Sequence, residues 1–305
     1  MNYPFFIYFH IAAIGRYQEV VLDMYNMIST SGILEAVTEC RCFITGPKHN
    51  TDWVVSNFTH PKCKIMANNE DVTSYERFTL DRMYQHCHES PIPFKVLYLH
   101  SKGVSKKNPQ QATVSDLWRK LMMRMLVGHY TLCLHHLENL ETVGCMYVSE
   151  PLPHYAGNFW WANSAYIRSL PKIRYPLIYY IDCELWIGLN MQNSASLYQL
   201  ESGKTIEQFF LSMNPLSIQL LQPTFYIGAS KYSSTQSNWN NNIGNANKIL
   251  INLGYESFEL RNHGLCFDLS HSDIVRVIYN YPPRLFAMTG DDIMTLFPSL
   301  FYRNY

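Results

Sequence analysis

The sequence has no excess of charge of either sign, because 24 lysines and arginines balance 24 aspartates and glutamates. Nucleic-acid-binding proteins usually carry a basic surface, so we expect no nucleic-acid partner. Charged residues are few, at 16% of the chain, whereas hydrophobic residues make up 47% and aromatic residues 14%. This composition is the opposite of that of a disordered chain, and it predicts a folded protein with a substantial core.

Long apolar runs are also missing. No run reaches the length of a membrane-spanning helix, so we expect no membrane span. The aromatic N-terminus lacks the basic region and the small-residue cleavage site of a signal peptide. The eight cysteines show no metal-binding spacing, and Cys40 and Cys42 stand too close for a usual zinc knuckle. These absences predict reduced thiols in a cytoplasmic protein.

Two motifs that bind phosphate groups are absent as well. The sequence contains neither Gly-x4-Gly-Lys-Ser/Thr nor Gly-x-Gly-x-x-Gly. Both motifs present backbone N–H groups to the phosphates of a nucleotide. A kinase or a nucleotide hydrolase that uses one of these loops is therefore not expected.

The stretch from 95 to 103 is the strongest candidate for a ligand site. Its apolar run, Val96 to Leu99, predicts a short buried strand, after which come His100, Lys102 and Gly103. In open α/β sheets, ligands bind at the carboxyl ends of the strands. An imidazole and an ammonium at that end favour a phosphate-bearing ligand, because both can donate hydrogen bonds to anionic oxygens. The alternative is a basic turn after a core strand.

Strand-like and helix-like segments alternate through the first 200 residues. Strands are predicted over 5–13, 39–45, 63–67, 96–99 and 142–148, and helices over 16–31, 73–87 and 114–137. Gly32 is expected to end the first helix, and Ser115 to cap the last one. This alternation predicts an α/β fold with a mostly parallel sheet and helices on its faces.

The composition changes beyond about residue 200. Residues 228–244 are rich in Ser, Thr, Gln and Asn, which predicts a long loop. Around it, helices are predicted at 206–213 and 245–253, and strands at 257–261 and 265–269. We therefore divide the chain into a first domain, 1–200, and a smaller α+β region of unassigned role, 201–305. That region is either an appended domain or an elaboration packed on the first.

An aromatic stretch combines His154 and Asn158 with Phe159, Trp160 and Trp161. Neighbouring strand residues point to opposite faces, so three consecutive rings cannot share one face. We expect one tryptophan to face a cleft and stack on a sugar or a base, with polar contacts from His154 and Asn158. For Phe159 and the other tryptophan we expect burial in the core.

Asp182 and Glu184 are closely spaced carboxylates in an otherwise apolar stretch. They share a face if the segment is a strand, and they do not if it is a helix. A buried carboxylate is costly without a partner or a task. At least one of the two is therefore expected to be functional or ion-paired.

Four stretches, in their order and spacing, resemble a family of GT-A-type glycosyltransferases of polysaccharide and viral glycan synthesis. That family is related to the rhamnan-synthesis proteins, which have a similar His-Thr-Lys segment and a later Phe-Trp segment. The four stretches are 75–80 (Tyr-Glu-Arg-Phe-Thr-Leu), 97–103 (Leu-Tyr-Leu-His-Ser-Lys-Gly), 157–162 (Gly-Asn-Phe-Trp-Trp-Ala) and 184–186 (Glu-Leu-Trp). The resemblance does not extend to the C-terminal third of the chain.

The resemblance implies a GT-A, Rossmann-like fold in residues 1–200 and a hexosyl- or pentosyltransferase activity. The implied donor is a nucleotide sugar, with a UDP-sugar favoured, and the implied acceptor is a hydroxyl of a glycan or glycoprotein. A viral member would act in the host cytoplasm. The implied donor-binding residues are His10, Ala12, Ala13, Glu76, Thr79, His100, Lys102 and Gly103, and the acceptor-binding residues are His154, Asn158, Trp160 and Trp161.

The sequence departs from most GT-A enzymes because it has no Asp-x-Asp, the motif that holds a divalent metal against the donor diphosphate. Lys102 and a protonated His100 would stand in its place, and a fixed cation can stabilise the leaving phosphate as a metal ion does. We predict a site without a metal cofactor, with Glu184 as the general base and Asp182 as the alternative base. The opposing hypothesis is Mn²⁺ or Mg²⁺ held by Asp182 and Glu184. The alternative function is a non-catalytic carbohydrate- or nucleotide-binding module derived from a glycosyltransferase.

Overall fold

The computed structural model of the chain describes residues 3–148, 153–173, 182–199, 205–213, 215–224 and 226–227. The strands are β1 Phe5–Ala12, β2 Glu39–Thr45, β3 Cys63–Asn69, β4 Lys95–His100, β5 Thr142–Gly144, β6 Tyr147–Val148, β7 His154–Tyr155, β8 Trp160–Asn163, β9 Ser194–Ser196 and β10 Tyr226–Ile227. The helices are α1 Tyr17–Thr30, α2 Ile33–Ala36, α3 Lys48–Asn57, α4 Arg77–Glu89, α5 Pro109–Met123, α6 Tyr130–His136, α7 Ser164–Ser169, α8 Asp182–Leu185 and α9 Ile206–Ser212.

Eight of these strands form one sheet in the order β10-β9-β5-β8-β4-β1-β2-β3. Strands β3, β2, β1 and β4 are parallel neighbours, and β8 runs antiparallel to both β4 and β5. Strand β5 therefore runs with β4, and β9 pairs parallel with β5. Six strands share one direction, so their carboxyl ends lie at one edge of the sheet. The predicted α/β fold with a mostly parallel sheet is confirmed.

Helices cover both faces of the sheet. Side chains of β1 alternate between two cores: Ile7 and Phe9 lie in the core that contains residues of α1 and α5, and Tyr8 lies in the core that contains residues of α4 and α7. Side chains of a strand alternate between its faces, so one strand contributes to both layers. This arrangement explains why β1 is an almost continuous apolar run.

Three local predictions differ from the structure. Helix α5 begins at Pro109 rather than after 113, because the side chain of Asn108 accepts hydrogen bonds from the N–H groups of Gln110 and Gln111. Ser115 is therefore a buried residue inside the helix and not its cap. A π-helical turn separates α5 from α6, and the predicted strand 142–148 is broken at Met146, whose φ is 60°. Local periodicity does not reveal where packing interrupts an element.

The sheet continues beyond residue 200. Strand β10 pairs antiparallel with β9, and α9, which confirms the helix predicted over 206–213, packs against α5. The boundary between 1–200 and 201–305 stays a prediction, and the elements predicted between 245 and 269 lie outside the described residues. No helix in the described ranges is long and apolar enough to cross a membrane.

Both tryptophans of β8 are fully buried. The ring of Trp160 stacks on Tyr98 with centroids 5.0 Å apart, whereas Trp161 donates a hydrogen bond to the carbonyl oxygen of Leu126 at 2.9 Å. The two rings belong to the two different cores. The prediction that one of them faces an open cleft is wrong, because β8 lies inside the sheet and both of its faces are covered.

Replacing either tryptophan by alanine should therefore act on stability. We expect Trp160→Ala and Trp161→Ala each to lower the free energy of unfolding by about 3–5 kcal/mol, as large cavities in a core do. Urea unfolding measures this change, with Trp53→Ala as the control, because Trp53 is only half-buried and should cost less. A loss no larger than that of Trp53→Ala would contradict the core position.

Candidate functional site

Polar and charged side chains from separate parts of the chain meet at the carboxyl edge of β1 and β4. His10 and His100 are direct neighbours there, since the two strands pair in parallel with these residues in register. The edge is where ligands bind in open α/β sheets. The other groups that reach it are Glu76 before α4, Lys102 after β4, Gly157 and Asn158 before β8, and Glu184 in α8.

The turn after β4 is tied to the end of β1. Ala12 donates its N–H to Ser101 Oγ at 2.8 Å, and Ser101 donates its own N–H to the carbonyl oxygen of His10 at 2.9 Å. Gly103 then adopts a φ of 95°, and a Cβ at this position would lie only 2.9 Å from Ser115 Cβ. These contacts explain why Lys102 is held at the edge of the sheet.

His100 is hydrogen-bonded on one side and faces a carboxylate on the other. Its Nε2 lies 2.9 Å from the carbonyl oxygen of Gly157, and its Nδ1 lies 3.4 Å from Glu76 Oε1. A carbonyl oxygen can only accept, so Nε2 carries a hydrogen. Burial, with the charge of Lys102 acting in the same direction, lowers the pKa of His100 to about 3. Burial and the charge of Lys102 thus favour a neutral ring, which opposes the expectation that His100 acts as a cation.

Lys102 supplies positive charge at this edge. Its Nζ lies 3.8 Å from the centroid of the Trp118 ring, which is a cation–π contact. Burial lowers the pKa of Lys102, whereas the charges of Glu184 and Glu76 raise it. Arg119 lies nearby but is ion-paired with Asp116 and Asp23.

Glu76 is surrounded by hydrogen-bond donors. Its Oε2 accepts from the hydroxyl of Tyr98 at 2.9 Å and from Asn158 Nδ2 at 2.5 Å. Burial raises the pKa of Glu76 to about 7, the hydrogen bond from Tyr98 opposes this shift, and the charge of Glu184 adds to it. Glu76 is therefore a carboxyl group whose protonation changes near neutral pH.

The turn formed by Gly157 and Asn158 connects these groups. Both residues have a left-handed backbone, with φ of 91° and 56°. The N–H of Gly157 donates to Glu184 Oε1 at 2.5 Å, so the same glycine contacts Glu184 through its N–H and His100 through its carbonyl. A Cβ at Gly157 would lie 2.7 Å from the sulfur of Met122, so any other residue here would also displace that side chain.

Two of the predicted acceptor-binding residues lie inside the protein. Asn158 is 1% exposed. Its Nδ2 donates hydrogen bonds to Glu76 and to the carbonyl oxygen of Cys183, and its Oδ1 accepts one from Trp160 Nε1. His154 is fully buried in β7. The prediction that His154 and Asn158 contact an acceptor is wrong, because neither side chain presents a surface.

The segment that contains Asp182 and Glu184 is helical, so the two carboxylates do not share a face. Asp182 is buried, whereas Glu184 reaches Gly157. Within the described ranges, no group of three or more His, Cys, Asp or Glu side chains could hold a metal ion. The two residues therefore do not fit the hypothesis of a metal held by both, and the metal-free site stays a prediction.

The predicted donor-binding residues separate into two layers. His10 and Thr79 are buried and bonded to each other, with His10 Nδ1 and Thr79 Oγ1 2.8 Å apart. Burial, with the charge of His100 acting in the same direction, lowers the pKa of His10 to about 3. Ala13 is fully buried too, so these three residues support the edge from below and do not present a surface to a donor. The residues that keep part of their surface exposed are Ala12, Glu76, His100, Lys102 and Gly103.

Two residues of the site were not predicted from the sequence. Trp118 lies on α5, where only the apolar face of the helix was considered, and Tyr98 lies in the middle of the apolar run of β4. A buried tyrosine hydroxyl needs a hydrogen-bond partner, and that requirement was the available signal for Tyr98. No comparable signal points to Trp118, because its contact with Lys102 comes from the packing of α5 on the sheet.

A family model described as a domain of unknown function, DUF8361, matches residues 24–177. That range is half of the chain and runs from within α1 past β8. It contains Glu76, His100, Lys102, Gly157 and Asn158, whereas His10 and Glu184 lie outside it. A comparison with curated proteins finds no match.

The lowered pKa of His10 predicts how stability depends on pH. Below the ordinary histidine pKa of 6.5 the unfolded chain binds a proton at this residue, and the folded chain does not until about pH 3. Stability is therefore lost as pH falls from 6.5 toward 3, by about 2 kcal/mol at pH 5 for one such histidine. The unfolding free energies at pH 7 and pH 5 therefore differ, in part because of His10. We expect His10→Gln to make this difference about 2 kcal/mol smaller.

Urea unfolding at the two pH values measures this difference. Thr79→Val is the matched control, because it disturbs the same buried hydrogen bond without removing a titratable group. It should keep the pH dependence of the original chain. If His10→Gln leaves that pH dependence unchanged, His10 is not buried in its neutral form.

Proposed function

The chain belongs to the DUF8361 family, whose description assigns no activity, and we propose from its own site that it is a glycosyltransferase. The proposed reaction moves a sugar from a nucleotide-sugar donor to a hydroxyl of a glycan or glycoprotein acceptor. One observation carries the proposal. The four stretches that resemble GT-A enzymes are distant in the sequence, and they contact one another through Glu76, His100, the Gly157–Asn158 turn and Glu184.

The fold supports the proposal in a general way. A mostly parallel sheet with helices on both faces has a ligand-binding edge at the carboxyl ends of its strands, and the four stretches meet at that edge. The more specific assignment, a GT-A fold, belongs to the proposal. A site of this kind needs a group that stabilises the leaving diphosphate and a base for the acceptor hydroxyl.

Lys102 is the group proposed to stabilise the leaving nucleoside diphosphate. As the bond between the sugar and the β-phosphate breaks, negative charge develops on the phosphate oxygens. The ammonium of Lys102 is held over Trp118 before the reaction begins, so it need not reorganise. Since His100 is neutral, the stabilising charge comes from Lys102 rather than from the histidine.

Glu184 is proposed as the general base. Its Oε1 accepts the N–H of Gly157, which orients the carboxylate and leaves Oε2 to take a proton. The acceptor oxygen attacks the anomeric carbon, its proton moves to Glu184, and the nucleoside diphosphate leaves with the electrons of the broken bond. Asp182 is the weaker candidate for this role because it is buried, with 8% of its surface exposed, and does not share the face of Glu184.

A panel of nucleotide sugars tests the proposal directly. A bound donor raises the free energy of unfolding by about 2.7 kcal/mol at a hundredfold excess over its Kd, so the correct donor shifts the melting curve. We expect a UDP-sugar to give the shift and free UDP to be released when an acceptor is added. A shift by a guanosine or thymidine donor would refute the choice of base. A shift without release for any acceptor would favour the non-catalytic binding module.

Replacing Lys102 should remove most of the activity without unfolding the protein. We expect Lys102→Ala to lower the rate about a hundredfold or more, as the loss of one preorganised group at the developing charge does. Lys102→Arg should restore only part of the rate, because a planar guanidinium does not place its charge where an ammonium does. Lys106→Ala is the matched control, an exposed lysine in the same loop.

The same assay should be run with EDTA and with Mn²⁺. We expect the rate of the unaltered protein to survive EDTA, because the proposed stabilising charge is a side chain. Strict dependence on Mn²⁺, together with little effect of Lys102→Ala, would show that a metal ion supplies the charge instead.

Replacing Glu184 and Asp182 in turn tests which of the two carboxylates is the general base. We expect Glu184→Gln to lower the rate by about a hundredfold or more while the donor still shifts the melting curve, because the amide keeps the shape and cannot take the proton. Asp182→Asn should retain most of the activity. The reverse pattern would assign the base to Asp182.

A further inference from the structure

The positions of Glu76 and His100 indicate that a proton lies between their facing side-chain atoms. His100 Nε2 donates to the carbonyl oxygen of Gly157, so in the neutral ring Nδ1 carries a lone pair. Glu76 Oε1 lies 3.4 Å from that Nδ1. A carboxylate oxygen facing a nitrogen lone pair in a partly buried site would be repulsive. A proton therefore belongs between the two atoms, either on the oxygen or on the nitrogen.

We infer that below neutral pH Glu76 is a carboxylic acid, with its proton on Oε1 directed at His100 Nδ1, and that this uncharged pair positions Glu184. The first half of this inference is independent of any activity. The second half rests on the proposed function, because it assigns the role of base to Glu184. Glu76 is then a positioning residue, since it acts through His100 and Asn158 and not on the reacting atoms.

The surroundings favour the neutral form over an ion pair. Both hydrogen bonds to Glu76 Oε2 come from neutral donors, Tyr98 and Asn158, and they lower the pKa of Glu76 and so oppose the effect of burial. Burial is the largest influence on both partners, raising the pKa of Glu76 to about 7 and lowering that of His100 to about 3. The titratable or charged groups that face the pair are His10, Tyr98, Lys102, Arg119, Cys183 and Glu184.

Two of these neighbours decide the charge balance. Glu184 is a second carboxyl group, and its charge raises the pKa of Glu76, whereas the charge of Lys102 lowers it. If Glu76 were ionised as well, two carboxylates would face one ammonium in a partly buried site. Protonation of Glu76 leaves one carboxylate, Glu184, and one ammonium, Lys102. Burial keeps the hydroxyl of Tyr98 and the thiol of Cys183 neutral by raising their pKa values.

The pair reaches Glu184 through the Gly157–Asn158 turn. Glu76 Oε2 accepts a hydrogen bond from the amide of Asn158, and His100 Nε2 donates one to the carbonyl oxygen of Gly157. The N–H of Gly157 in turn donates to Glu184 Oε1. Both residues of the turn have a left-handed backbone, which side-chain contacts must maintain. If Glu76 lost its proton, its carboxylate would face the lone pair of His100 Nδ1. The contact between Glu76 and His100 would then no longer keep His100 in place against the turn.

Carbon NMR of the full chain labelled at the glutamate carboxyl groups tests the first half. We expect one glutamate to titrate near pH 7, and we expect its signal to be lost in Glu76→Gln. Nitrogen NMR of labelled histidines should show the ring of His100 with a proton on Nε2 only. If every glutamate titrates at its ordinary pKa, or if the ring of His100 is doubly protonated, the inference is overturned.

Glu76→Gln tests the second half, because its amide can donate to Nδ1 and accept from Tyr98 and Asn158 at every pH. The unaltered enzyme should lose rate about tenfold per pH unit above its midpoint near 7, on the limb that reports loss of the essential acid. Glu76→Gln should show no such decline, so the ratio of its rates at pH 6 and pH 8 should be close to one. Glu89→Gln, an exposed glutamate at the other end of α4, should keep the decline.

The outcomes separate this inference from the proposed function. Absence of transfer with every donor would refute the glycosyltransferase, while the two NMR titrations would still decide the protonation state of Glu76. Transfer that is lost in Glu76→Gln at pH 6 would show that the charge of Glu76 is needed and would overturn the positioning role.

Discussion

The turn formed by Gly157 and Asn158 is the contact on which the candidate site depends. It has a left-handed backbone at two successive residues, and side chains from three other parts of the chain hold it. Each of these side chains contacts the turn from a different part of the chain. A change that displaces the turn would therefore separate Glu76, His100 and Glu184 at once.

Burial is the physical influence that sets the charge of each group at this edge. It favours the neutral form of His100 and of Glu76, because a charge that leaves water loses its hydration. The charged groups that remain are Lys102 and Glu184, one of each sign. A low local dielectric strengthens the effect of each remaining charge on a ligand. The site thus combines one cation, Lys102, with one carboxylate, Glu184, while His100 carries no charge.

The position of β8 inside the sheet anchors the turn that precedes it. Strand β8 runs antiparallel between β4 and β5, and it places Trp160 and Trp161 in the two opposite cores. The turn that precedes β8 is thereby anchored by two large buried rings, and Trp160 also donates directly to Asn158. The tryptophans thus contribute to the site by supporting it and not by stacking on a ligand.

Local patterns in the sequence were enough to predict β2 at its observed bounds, the end of β4 at His100 and the parallel α/β architecture, because backbone geometry imposes the strand and helix periods on neighbouring residues. The roles of individual side chains depended on tertiary packing. Periodicity cannot tell that both faces of β8 are covered, that 182–185 is helical, or that Glu76 meets His100. These contacts join residues that are distant in the chain, and only the folded sheet and its helices bring them together and decide their burial and charge.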